Sequence, residues 1–231
     1  MITIWPLTGI GEIEQGADLT AEILAACGRS SLTIADGDIF VVTHKIVSKA
    51  EGRVATAPTE ADYRRAVLDE AAAVIRRRGD LVITQTRHGF ICANAGVDRS
   101  NIEGDRIVLL PERPDRSAAT IKKRLEALSG TTLAVIISDT FGRPWRRGLT
   151  DIAIGVAGMA AINDLRGTED MYGRVLEVSE VAVVDEIAGA ADLIMGKSTG
   201  IPAAVVRGVA WEPGAGRAAD LVRPAAEDLF R

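Results

Sequence analysis

Apolar residues in this chain fall into short runs cut by glycines and small polar residues, and those runs set the expected elements. Residues 2–7 alternate enough for a strand, and Asp18 stands as N-cap to a helix over 19–27 that Gly28 stops. A strand over 39–42 follows the turn Asp36-Gly37-Asp38. Residues 59–78 are alanine-rich with Tyr63, Val67, Ala71 and Val74 at helical spacing, so the pattern predicts one long helix ended by Gly79. Strands over 81–84 and 90–93, joined through Arg87-His88-Gly89, make a hairpin. A strand over 105–110 precedes a helix over 117–129 with Ile121, Leu125 and Leu128 on one face and Gly130 at its end. The β-branched run 133–137 is a buried strand. Thr150 or Asp151 then caps a small-residue helix over 152–161, whose Gly155 and Gly158 permit close packing. Residues 163–174 are a loop, 176–184 a strand, 186–195 a helix capped by Asp185 and closed by Gly196, and 203–206 the last strand. Gly214 and Gly216 precede a short helix whose amides are placed to meet an anion. The short links near Arg87 and Glu103-Gly104 suggest antiparallel pairing.

Composition narrows the class. With 231 residues, 47% of them hydrophobic, the chain can bury a sizeable core. A net charge of −5 and a 4% aromatic share argue against a general nucleic-acid surface, so any phosphate-bearing ligand has to be held locally. No run approaches the length needed to cross a bilayer, and the start MITIWPLTGIGEIEQ lacks a signal-peptide pattern; the expectation is a cytoplasmic protein with no membrane partner. Cys27 and Cys92 read as small buried hydrophobes.

Candidate chemistry gathers in four stretches. Ser138-Asp139-Thr140 ends the buried strand with hard oxygens suited to Mg²⁺ or Mn²⁺, and Arg143, Arg146 and Arg147 follow within reach of phosphate or carboxylate oxygens. Residues 43–53 crowd His44, Lys45, Lys49 and Arg53 around apolar Ile46 and Val47, which fits either a phosphate-gripping segment or a solvated basic edge strand; on its own, His44 beside Lys45 reads as a surface side chain. The polar loop 94–101 brings Asp98, and with Asp139 it supplies the two carboxylates usual for a metal that also bridges substrate phosphates. The turn Thr8-Gly9-Ile10-Gly11 lets backbone approach a ligand, a weak signal by itself. These loops alone fit a ligase, another metal-dependent phosphoryl-transfer enzyme or phosphohydrolase, and a non-catalytic nucleotide-binding module equally well.

Taken together, the runs GDIFVVTHKIVSKAEGR, ICANAGVDRSNI and ISDTFGRPWRRGLTDIAIGVAGM, with PLTGIGEI before them and ADLIMGKSTGIPAAVVRG after, resemble the coenzyme F420-0:L-glutamate ligases, the gamma-glutamyl ligases of deazaflavin coenzyme biosynthesis. The resemblance covers nearly the whole chain. It implies an α+β fold of mixed, largely antiparallel sheets with flanking helices, one ligase domain over 1–231 with two subdomains around a shared cleft, and an intertwined homodimer. It further implies GTP-dependent amide synthesis in which the precursor carboxylate is phosphorylated and the amine of L-glutamate displaces phosphate. Mg²⁺ or Mn²⁺ would be held by Asp98, Asp139 and Thr140, with K⁺ as a further candidate cation. Asn101, His44, Lys45, Lys49 and Thr8, Gly9, Ile10 and Gly11 would contact the nucleotide, and Arg143, Arg146 and Arg147 the coenzyme phosphate or the developing acyl phosphate. Relatives often carry serine or threonine at His44-Lys45, and Glu212 is a candidate substitute for an acidic or amide metal contact near 212–216. The ending LVRPAAEDLFR resembles the junction to a C-terminal nitroreductase-like domain in fused members.

Overall fold

Residues 39–42, 134–137 and 203–206 are apolar at every position because they form adjacent strands covered on both faces. Successive side chains divide between two cores: Phe40, Val42, Val135, Ile137, Ala203 and Val205 enter one, and Ile39, Val41, Ala134, Ile136, Ala204 and Val206 the other. The computed structural model describes residues 1–229, so the last two residues of the LVRPAAEDLFR ending lie outside the described residues.

The elements begin β1 (Thr3–Pro6), α1 (Leu19–Arg29), β2 (Ile39–Thr43), α2 (His44–Ala50), β3 (Val54–Thr56), α3 (Glu60–Glu70), β4 (Ala71–Arg78), β5 (Leu81–Thr86) and β6 (Ile91–Ala93). They continue β7 (Arg106–Val108), α4 (Pro114–Ser129), β8 (Ala134–Arg143), β9 (Arg146–Met159), β10 (Asn163–Asp164), β11 (Glu180–Val181), α5 (Val183–Met195), β12 (Ala203–Arg207) and β13 (Pro213–Gly214). The main sheet has the order β1-β12-β2-β8-β9-β13; β2 and β8 run parallel and its other described pairs antiparallel. Helices α1 and α4 pack on one face and α5 on the other, while β3, β7 and α3 enclose a smaller core around Val67, Val97 and Ile107. The fold is α+β with mixed, largely antiparallel sheets and flanking helices.

Several expectations are corrected. The helix over 59–78 stops at Glu70: Thr59 and Asp62 form a capping box at its start, and residues 71–78 instead pair antiparallel with β5 across the turn after Gly79. Two bulges in β4 break its alternation, and Arg76, Arg77 and Arg78 stud it as an edge strand. The helix over 152–161 is the second half of β9, a 14-residue strand. Its small residues serve close approach, as expected, but to helices crossing it: a Cβ on Gly155 would lie 2.6 Å from the Pro114 carbonyl carbon. Two β9 amides are taken by helix-borne carboxylates, Ala153 N–H donating to Asp185 Oδ1 at 2.8 Å and Val156 N–H to Asp115 Oδ1 at 2.9 Å. Asp185 is therefore inside the first turn of α5 and does not cap it. Of the strand over 176–184 only Glu180–Val181 pairs, and the Gly216 amide donates to Met159 O at 3.1 Å, so it is not free for an anion.

Cys27 sits in α1 and Cys92 in β6, both buried. Burial, with Asp38 nearby, pushes the Cys27 thiol up to about 11, and burial, with Asp139 nearby, pushes Cys92 up to about 12. At pH 8 no more than about one thiol in 1,000 is then the reactive thiolate. Native protein is expected to resist DTNB at pH 8 for hours and to release two equivalents of thionitrobenzoate once unfolded in guanidinium; prompt labelling of the native protein would contradict this burial. Among the described residues no helix is long and apolar enough to cross a membrane.

Candidate active site

The parallel pairing of β2 with β8 ends with Thr43 opposite Ser138. The chain leaves β2 directly into α2, which sets His44 and Lys45 on its first turn and Lys49 on its last, while β8 runs on through Asp139 and Thr140. One pair before Ser138 the β8–β9 register shifts: Ile137 faces Gly155 and Ser138 faces Ala153, leaving Ile154 as the extra residue of a bulge. Such a bulge re-aims the side chains beyond it.

Asp139 and Thr140 form a shared wall between two openings. On one side lies a cavity of about 450 Å³ lined by Ile10 to Ile13, Lys45, Lys49, Asn101, Asp151, Asp192 and the loop 196–202. On the other lies an open groove of about 560 Å³ lined by Tyr63, residues 93–94 and residues 96–100. Beneath the wall His44 is 1% exposed, and its Nε2 stands 3.2 Å from Asp139 Oδ1. The Thr140 hydroxyl donates to Asp151 Oδ1, Ser138 Oγ donates to Asp151 Oδ2 at 2.9 Å, and Lys197 Nζ donates to the Thr140 hydroxyl oxygen.

The basic groups are held by acids and carbonyls that a ligand can supplement. Lys49, 8% exposed, donates to Glu12 Oε1 at 2.8 Å and to the Asn101 carbonyl at 3.0 Å, which offsets the cost of burying its charge. Lys45 Nζ is 2.9 Å from Asp98 Oδ2 and 2.6 Å from Ser100 Oγ. Burial disfavours the Asp98 carboxylate, but Lys45 and the Ser100 amide and hydroxyl outweigh it and hold the group below the usual carboxylate range. Asp192 is pushed up, by burial first and by Asp151 second.

The sequence candidates divide accordingly. Ile10, Gly11, Lys45, Lys49, Asn101, Asp139 and Thr140 line the cavity; Asp98 lies in the adjoining groove with Asp139 and Thr140. His44 is buried under the wall, because residues 44–50 form a helix instead of an edge strand. Thr8 and Gly9 turn the other way: Arg29 Nε donates to the Thr8 carbonyl at 3.3 Å, and Gly9, at φ 74°, lies against the Arg29 side chain. Arg143, Arg146 and Arg147 are exposed at the turn that closes the β8–β9 hairpin, around Pro144-Trp145, and line neither opening. Glu212 is paired away at the edge of β9, its carbonyl accepting from Ala160 N–H at 3.0 Å, and it lines neither opening. Asp151, Asp192 and Lys197 are not among the sequence candidates: Asp151 reads there as a helix cap, Gly196 as a helix stop, and the run holding Asp192 and Lys197 carries the resemblance without a role for either.

Among the described residues no three His, Cys, Asp or Glu side chains cluster as a metal cage. Two carboxylates and a hydroxyl, with ammonium groups already resting on Asp98 and Thr140, form a donor set that suits a cation completed by water and substrate phosphate, the usual manner of Mg²⁺.

The family model described as F420-0:Gamma-glutamyl ligase matches residues 9–208. The chain is 41% identical to a coenzyme F420:L-glutamate ligase of Methanothermobacter thermautotrophicus, over 98% of this chain and 95% of the relative. It is 42% identical to the enzyme of that name from Methanocaldococcus jannaschii over 86% of each chain, and 39% identical to that of Methanopyrus kandleri over 95% and 94%.

Proposed function

This chain belongs to the F420-0:gamma-glutamyl ligase family, and from that premise we propose that it joins L-glutamate to F420-0 through an acyl phosphate made with GTP. Carboxylate and amine do not condense usefully in water, so the precursor carboxylate oxygen attacks the γ-phosphorus of GTP, the bond to GDP breaks, and the glutamate amine then attacks the acyl carbon. Phosphate leaves with the oxygen that had attacked, and the amine gives up its proton as the amide forms.

The observation that carries this reading is the Asp139–Thr140 wall, with buried and half-buried lysines on one side and Asp98 on the other. Lys45 and Lys49 suit the triphosphate, and Ile10-Gly11 suits the nucleoside end of a ligand filling the cavity. Asp98, Asp139 and Thr140 would hold Mg²⁺ or Mn²⁺, which when bound neutralises charge on the transferring phosphoryl oxygens. Asp151 orients the Thr140 hydroxyl by accepting its hydrogen bond, and His44 supports Asp139 from below. The hairpin arginines stand off both openings in one chain; in the homodimer that the family likeness implies, they serve the coenzyme phosphate from the partner copy.

Phosphate release from GTP tests the reading. It is expected to require the divalent ion, F420-0 and L-glutamate together, with one amide formed per phosphate released. Release without glutamate or F420-0 would point to a phosphohydrolase, and tight GTP binding with no release to a nucleotide-binding module.

A further inference from the structure

The groove on the far side of the Asp139–Thr140 wall is built of polar and strained residues, and beyond the proposed metal ligands Asp98, Asp139 and Thr140 its lining has no role in the reading above. Asn94, Ala95 and Asn101 all have left-handed backbone, at φ 51°, 54° and 56°, and they bracket the loop that forms it. Strain of this kind is retained where surrounding contacts fix a loop in one shape. Within the loop, Arg99 sits over the Tyr63 ring, its guanidinium carbon 3.7 Å from the ring centroid, and donates to Glu60 Oε2 at 2.9 Å. Tyr63 is in turn pinned by its hydroxyl, which donates to the Val97 carbonyl at 3.0 Å.

We infer that this groove holds the carboxylate-bearing acceptor and that Arg99 recognises the acceptor's negative charge, an assignment that rests on the ligase reading above. Phosphoryl transfer runs in line, with the attacking oxygen and the leaving diphosphate on opposite sides of the phosphorus. A nucleotide in the lysine-lined cavity therefore presents its γ-phosphate at the wall, and the acceptor has to approach from the other side, where the groove is. The Tyr63 ring and Glu60 hold the guanidinium in place, and the bond to Glu60 engages one of its five N–H donors, leaving others for a carboxylate or phosphate oxygen. Lys45 on Asp98 offsets the repulsion that this acid of the groove would otherwise exert on an anion.

Steady-state kinetics of Arg99→Met and Arg99→Lys, varying each substrate in turn, tests this. Loss of a charge-assisted contact should raise the KM for F420-0 about 10- to 100-fold in R99M and less in R99K, with the KM values for GTP and glutamate within about twofold of wild type. A rise confined to GTP or to glutamate, or kinetics indistinguishable from wild type, would overturn it. Circular-dichroism melting identifies an R99M that has failed to fold, in which case R99K alone decides. If the wild-type protein itself fails to couple GTP, F420-0 and glutamate, the ligase reading has fallen; if it couples them and the arginine variants do not respond, only the present assignment has.

Discussion

Asp139→Asn is expected to lower turnover on the order of 100- to 1,000-fold while leaving the fold in place. The substitution keeps the shape of the side chain and an oxygen for the Thr140 amide, which now donates to Asp139 Oδ1 at 2.7 Å. What it removes is the negative charge in the wall common to the cavity and the groove. Removing one group placed where charge develops in the transition state costs that range in other enzymes, because its position is set before the reaction begins. His44, buried directly below, loses only an ionic neighbour, so melting should move by no more than about 3 °C. Retention of more than a tenth of wild-type turnover at saturating substrates would remove Asp139 from the reaction.

The largest effect on stability is expected far from the wall. Asp38 is fully buried at the start of β2, and Arg207 at the end of β12 grips both of its oxygens, Nε to Oδ1 at 2.6 Å and Nη2 to Oδ2 at 2.8 Å. The Ala35 amide adds a bond to Oδ2 at 3.0 Å, and Nη2 also donates to the Thr33 carbonyl. Arg207→Met fills a similar volume but leaves a buried carboxylate without its cation, which costs about 3–5 kcal/mol. At about 2–4 °C per kcal/mol for a chain of this size, Tm should fall by roughly 6–20 °C. Asp38→Asn with Arg207→Met should recover much of the loss, since the orphaned charge is the main penalty. A single R207M variant melting within about 2 °C of wild type would contradict the account of this pair.

What could be read from the sequence follows from how each element is buried. β2, β8 and β12 declare themselves because strands covered on both faces are apolar at every position. The second half of β9 is buried too, yet α4 lies so close that a Cβ has no room at Gly155 or Gly158, and the same composition describes a small-residue helix. Residues 71–78 carry the alanines of a good helix former, and only pairing with β5 decides for a strand. The site shows the same division. Asp98 stands in a polar loop, and Asp139 and Thr140 follow directly on the apolar part of β8, where chemistry is visible locally, whereas Asp151 and Lys197 reach Thr140 only through the β8–β9 hairpin and the loop after α5. Arg143, Arg146 and Arg147 follow Thr140 closely in sequence, but within one chain the long hairpin carries them away from both openings.

All of the chemistry turns on the precursor carboxylate becoming an acyl phosphate at the Asp139–Thr140 wall. F420-0 labelled with ¹⁸O in that carboxylate, turned over once with GTP and L-glutamate, follows the oxygen itself. One ¹⁸O should appear in the inorganic phosphate for each doubly labelled carboxylate converted, with the other retained in the amide. Unlabelled phosphate beside labelled amide would contradict the account.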